Sequence, residues 1–191
     1  VTLGRYAGVV NAGIAALGLP DFELQYAPSP EELPGFTAAA AAHVREALAR
    51  APAGARLWFT AHSVPTQVGK DSGYVARYEA AAARIAALLG ISDYGLAYQS
   101  RSGNPRDPWL EPDIGEVVRS EAASGRRALV VAPIGFVCDH VEVLYDLDVE
   151  AAQIAAEVSL TLVRASTVTT HPEYIDALAQ TVLEVAAGSD D

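Results

Sequence analysis

Apolar runs of strand length at residues 22–26, 56–61, 94–99, 127–132 and 159–164 alternate with alanine-rich stretches of helical length. This alternation restricts the fold more than any other feature. Parallel strands need a crossover of a dozen or more residues, usually a helix, whereas antiparallel neighbours need only a short turn. The pattern therefore predicts an α/β chain: a parallel sheet flanked by helices on both faces, in three layers. Helices are expected over residues 3–17, 36–50, 73–89 and 172–186, from Pro112-Asp113 to before Gly125, and from Asp139 onward. Residues 28–34 read as a proline-rich loop, 133–138 as a second loop, and 188–191 as a frayed tail. At 191 residues the chain holds one good-sized core, so one domain is expected.

Charge and cysteine content narrow the function. The net charge of −11 and the lack of a basic run argue against binding nucleic acid or an anionic membrane surface. A single cysteine, Cys138, excludes an internal disulfide framework and any cysteine-only zinc or iron–sulfur site, and fits a reducing cytoplasm. No apolar run reaches the roughly 20 residues of a membrane span. The first residue is Val1, inside a helical pattern, so the chain is expected to be part of a longer protein. Dinucleotide, Walker, zinc-protease and serine-hydrolase motifs do not occur.

The polar chemistry concentrates in two places. Glu142, Asp146 and Glu150 stand four residues apart in the segment GFVCDHVEVLYDLDVE, residues 135–150, which stacks them on one helical face. Such a row is either a solvated acidic face or a file of oxygen ligands for a divalent cation. Apolar neighbours on nearly every side favour the second reading, because they predict a buried helix, and buried carboxylates need cations or protons. Asp139 and His140 open the same segment. His62, in Thr60-Ala61-His62-Ser63, ends an apolar run, where open parallel sheets place ligand contacts; a structural hydrogen bond at a strand end is the other reading. Arg101 is read as a loop anchor rather than a partner for an anion, Trp109 as packing against the sheet, and His43 and His171 as structural or exposed.

Three motifs, TAHSVP (60–65), YQSRSGNPRDPWLEPD (98–113) and PIGFVCDHVEVLYDLDVEA (133–151), in this order and spacing resemble ferrochelatase, the enzyme family that inserts iron into the porphyrin of haem. The likeness runs from Arg5-Tyr6 through Pro34-Gly35-Phe36 to the final helix, and corresponds to the later part of that family's chain. It implies a Rossmann-like, chelatase-type fold. Residues 1–191 would then form the C-terminal lobe, with residues 1–50 leading in from an N-terminal lobe that this sequence lacks; alone, the lobe is expected to be inactive. The resemblance further implies His62 and Glu142 as catalytic residues, and His62, Glu142, Asp146 and Glu150 as the metal's contacts, the last two forming an acidic path. Which of His62 and Glu142 binds iron and which moves protons stays open. Fe²⁺ is the implied substrate metal, the implied partner is coproporphyrin III or protoporphyrin IX, and other haem-pathway enzymes are implied transient partners. Alanine-rich, lysine-poor composition resembles high-GC actinobacterial proteins, which points to coproporphyrin III. Val64 and Cys138 stand where isoleucine and serine are common, and the cluster cysteines of some relatives are not found. The competing readings are a cobalt or nickel chelatase of the sirohydrochlorin type, which fits the Trp109 and Glu142 motifs less well, and a non-catalytic tetrapyrrole- or metal-binding lobe.

Overall fold

The structure, a computed structural model, describes residues 2–18, 25–103 and 106–187, with side chains from Tyr6 onward. Helix α1 (Thr2–Ala16) is followed by a 3₁₀ turn (Pro30–Glu32), α2 (Pro34–Arg50), β1 (Arg56–His62), α3 (Thr66–Asp71), α4 (Tyr74–Leu89), β2 (Tyr94–Gln99), α5 (Ile114–Ala123) and β3 (Ala128–Ala132). Then α6 (Val141–Val143), a π-helical segment (Leu144–Ala151) and α7 (Ala152–Glu157) run on as one helix, before β4 (Thr161–Arg164) and α8 (Pro172–Ala187). The strand expected at 22–26 lies mostly outside the described residues; Gln25 and Tyr26 are irregular.

The described strands form one parallel sheet in the order β2-β1-β3-β4. Because β1 is followed by its neighbour on one side and β3 lies on the other, the winding reverses between β1 and β3. In open α/β sheets that reversal leaves a crevice beyond the carboxyl ends of the two strands, where ligands bind. Strand side chains alternate between two cores. Leu57, Phe59, Val130 and Ala132 pack with Phe36, Val44, Ile85 and Tyr174 under α2, α4 and α8. On the other face, Leu129, Val131 and Ala97 pack with Val118, Val143 and Leu147 under α5 and the 141–157 helix. The expected three layers are thus present.

Local chemistry sets the boundaries. Alanine combines high helix propensity with a small side chain, and α2 buries Ala39, Ala40, Ala41 and Ala47 beside Phe36 and Val44. Helix α4 ends at Gly90, whose φ of 68° is left-handed, and the amide of Ile91 donates to Ala86 at 2.9 Å, closing a Schellman turn. Asp113 caps α5, accepting from the amide of Gly115 at 2.8 Å. Helix α1, by contrast, buries none of its described side chains.

The 141–157 helix departs from the expectation in two ways. It is only half buried: Val143, Leu147, Ala151 and Ala155 face the sheet, whereas Val141, Tyr145 and Val149 are 76%, 53% and 49% exposed. Its apolar flanks lie outside the one stripe that the sheet can cover. It also widens into π turns over Leu144–Ala151. At 3.6 residues per turn a four-residue step overshoots a full turn by about 40°, so three such steps would carry Ala155 about 120° round from Val143. Wider i→i+5 turns take up that overshoot, keeping the buried row 143/147/151 in line and, beside it, the acidic row 142/146/150.

Candidate active site

The crevice beyond β1 and β3 is built by a close backbone approach. After β3 the chain folds back over β1, with the amide of Gly135 donating to the carbonyl of Thr60 at 3.0 Å. A Cβ at position 135 would lie 2.5 Å from the Cβ of Ala61 and 2.6 Å from its Cα, so only glycine fits. This contact sets Phe136 edge-on to both His62 and His140, with ring centroids 6.3 and 5.1 Å apart. His62 is the last residue of β1, and its carbonyl accepts from the hydroxyl of Tyr74 at 2.9 Å. Burial, with Tyr98 alongside, pushes the Tyr74 phenol up to about 12, so the hydroxyl stays a donor across the neutral range.

Glu142 faces His62, with Oε2 lying 3.9 Å from Nδ1. That separation is too long for a hydrogen bond. Both side chains are solvent-accessible, at 31% for His62 and 52% for Glu142, so their attraction adds little stability. Donor–metal bonds of about 2.1 Å put two ligands of one ion at most about 4.2 Å apart. The pair can therefore share an ion only at a wide angle, or serve two different atoms of one substrate.

The acidic row runs away from this pair as separate stations. Asp146 accepts a short hydrogen bond from the hydroxyl of Ser100, a residue with left-handed φ of 60°, and lies 3.4 Å from the amide nitrogen of Gln99. Gln99 is fully buried and oriented by the hydroxyl of Thr60, which donates to its Oε1 at 2.9 Å. Glu150 and Asp146 line a cavity of about 50 Å³ with Asp113. Burial raises the Asp113 carboxyl above the usual range; the amides of Gly115 and Glu116 pull it back, and the charges of Glu116 and Asp146 push it up. Among the described residues no three His, Cys, Asp or Glu side chains are grouped so as to hold a metal ion. His62, Glu142, Asp146 and Glu150 thus form a file, not a cage.

Two larger cavities lie at this end of the sheet, and His62 lines the first of them. One of about 550 Å³ is lined by His62, Val64, Tyr74, Arg77 and Gly135; the other, of about 350 Å³ and mostly apolar, is lined by Phe36, Tyr78, Ile134 and Phe136 and includes Cys138 and His140. Glu31, Tyr74, Arg77 and Gly135 border both.

Arg164 braces the helix that carries Glu142. It donates to Asp139 at 3.0 Å, just before the helix, and to Asp148 at 2.7 Å, within the π segment. Burial disfavours the guanidinium charge, but the two carboxylates outweigh it and its pKa is raised. Arg101 donates to the carbonyl of Asp107 at 3.2 Å, which fits a loop anchor. Trp109 does not pack on the sheet as expected: it bridges to Pro65 and lies under Gly103, because the 108–110 strip pairs with the loop after β1. His43 and His171, read as structural or exposed, are both partly buried and pack edge-to-face at 5.2 Å. Sequence reading missed Gln99, Ser100 and Asp113 as neighbours of Asp146. The strand-end position of the first two and the helix-start position of the third were the available signals.

The family profile described as Ferrochelatase matches residues 2–186. Among curated proteins the chain is 44% identical over 161 residues to a coproporphyrin III ferrochelatase of Propionibacterium freudenreichii subsp. freudenreichii, covering 80% of this chain and 46% of that one. It is 41% identical over 155 residues to a ferrochelatase of Rhodopirellula baltica, covering 79% and 44%. It is 38% identical over 195 residues to a coproporphyrin III ferrochelatase of Mycolicibacterium vanbaalenii, covering 96% and 56%. The chain spans about half the length of the curated relatives it matches. A solved structure from Deinococcus radiodurans, DR2241, described as a multi-domain protein with structural similarity to chelatases, superposes with a TM-score of 0.50 at 20% identity, covering 78% of this chain and 29% of that one. That likeness concerns the fold alone.

Proposed function

The chain belongs to the ferrochelatase family, and from that premise we propose that it supplies the catalytic half of an enzyme inserting Fe²⁺ into a porphyrin, coproporphyrin III before protoporphyrin IX. The observation that carries the reading is the open pair His62–Glu142, 3.9 Å apart at the winding reversal of the sheet. Insertion exchanges two pyrrolic N–H protons for one divalent cation, so a base must receive protons while the ion loses its water. Imidazole is the side chain best suited to proton exchange near neutral pH, and both imidazole and carboxylate accept Fe²⁺. One of the pair takes the two pyrrole protons in turn, passing each to solvent, to which both side chains are open, while the other meets the ion. Asp146 and Glu150 then serve as a file that lowers the cost of bringing a dication to Glu142. Coproporphyrin III is supported by the naming of the actinobacterial relatives. A lobe that binds porphyrin without turnover is the second reading, since the chain spans about half of those relatives' length.

The test is anaerobic Fe²⁺ insertion followed by absorbance in the complete gene product. His62→Ala is expected to abolish insertion while porphyrin still binds, and Glu142→Gln to slow it by about 100-fold or more. Undiminished insertion by a folded His62→Ala protein would sink the assignment. Porphyrin binding without insertion in the parent protein would favour the second reading.

A further inference from the structure

The cleft around His62 borders an acidic helix in a chain of net charge −11, yet a porphyrin bearing carboxylate side chains is itself an anion. Like charges would repel such a ligand unless a cation met it. Among the described residues lining the two larger cavities, Arg77 is the one arginine or lysine, and it stands on the rim that both share.

We propose that Arg77 is an anchor for a carboxylate on the porphyrin periphery, held ready by Glu31, which occupies its guanidinium until the ligand arrives. This rests on the proposed porphyrin chemistry of the same cleft. Arg77 Nη1 donates to the carbonyl of Ser72 at 2.9 Å, and its Nε lies 3.2 Å from Glu31 Oε1. The guanidinium is therefore fixed in direction, which lowers the ordering cost of a bidentate carboxylate contact. At 41% exposure it is open to the cleft, and Glu31, at 25%, stands in for the ligand's carboxylate. The Glu31 side chain is not needed to hold the 3₁₀ turn against α4, because Arg84 already donates to the Glu31 backbone carbonyl at 2.7 Å. A simple brace between these elements would not require the second, side-chain contact. Apolar walls at Phe36, Tyr78 and Ile134 lie beyond the rim, so a flat apolar ring with an acidic edge matches the distribution of polarity.

The test is fluorescence titration of the complete gene product with coproporphyrin III and with its tetramethyl ester in the same detergent, which needs no turnover. Arg77→Met is expected to weaken the acid by about tenfold and the ester by less than about twofold, the low end for a charge-assisted contact because the site is partly exposed. Glu31→Gln removes the competitor and is expected to tighten the acid. Equal weakening of acid and ester by Arg77→Met, or weakening of the acid by Glu31→Gln, overturns the anchor and leaves the proposed activity standing. Failure of the parent protein to bind either porphyrin overturns both.

Discussion

Replacing Gly135 by alanine tests whether the fold-back over β1 builds the site. The added Cβ would meet the Cβ and Cα of Ala61 at 2.5 and 2.6 Å and the carbonyl oxygen of Thr60 at 3.4 Å. Ordinary carbon contacts lie at about 3.5–4.0 Å, so loop and strand must separate by about 1 Å. Neither close neighbour is the far end of a flexible side chain. The same movement stretches the 3.0 Å bond from the Gly135 amide to Thr60 towards about 4 Å, beyond hydrogen-bond range. Overpacking of this kind costs about 1–3 kcal/mol and the lost bond about 1 kcal/mol, giving a total of roughly 2–4 kcal/mol. Phe136 and the approach to Glu142 move with the loop, and a displacement of about 1 Å at reacting groups can cost about 100-fold in rate. Urea unfolding of parent and variant measures the first quantity, and the insertion rate the second. Adding Ala61→Gly removes the 2.5 Å contact but not the one to Cα, so rescue should be partial. A Gly135→Ala protein within about 0.5 kcal/mol of the parent and equally active would refute the reasoning.

Arg164→Met strips two hydrogen-bonded partners from one guanidinium and is expected to cost about 2 kcal/mol in urea unfolding, with a fall in kcat exceeding any rise in KM for porphyrin. Arg164→Lys, which keeps the charge but not the fork, should recover part of both; an unchanged kcat in the methionine variant would show that the brace does not position Glu142. Asp113 gives a pH test whose sign is fixed by burial. Its folded pKa is raised above 3.8, so the folded state holds the proton more tightly than the unfolded chain, and stability is lost as pH rises through the raised value. Asp113→Asn keeps a capping side chain without the ionisation, so the parent's stability relative to the variant should fall as pH rises from the unfolded value of 3.8 through the raised folded one, and a flat or rising difference would contradict the assignment.

The layers were legible because apolar runs and alanine-rich stretches alternate, and because Gly90 and Asp113 punctuate helices α4 and α5. Helix α3 was not: proline and glycine at 65 and 69 are loop formers by type, and the helix packs through a tertiary contact, Leu110 lying where a Cβ on Gly69 would be 3.0 Å away. The π segment left no residue-type signature, although the four-residue spacing of Val143, Leu147 and Ala151 is its cause once the sheet is known. His62 was visible as a strand-end histidine and Glu142 as the head of an acidic row. Their meeting depends on β1 and β3 being neighbours, which composition and periodicity do not encode, and the motif resemblance set them face to face. Asp146 beside Ser100 depends likewise on β2 lying next to β1.

The two charge problems of the proposed reaction are separated by the sheet itself. Glu142, Asp146 and Glu150 ride on the helix that packs against one face with α5, while Arg77 and Tyr74 belong to α4 on the opposite face. His62 sits at the strand end between them. A cation drawn along the acidic row and an anion held at Arg77 would reach His62 from different sides, so each field acts on its own ligand before they meet. Had the acids and the arginine shared one face, they would have neutralised each other as ion pairs, as Asp139, Asp148 and Arg164 do. Segregation keeps the acidic row and Arg77 from pairing with each other, although Glu31 meets Arg77 on its own side. It follows that Arg77→Met should alter the affinity for porphyrin without changing that for the metal, and that Asp146→Asn should do the reverse.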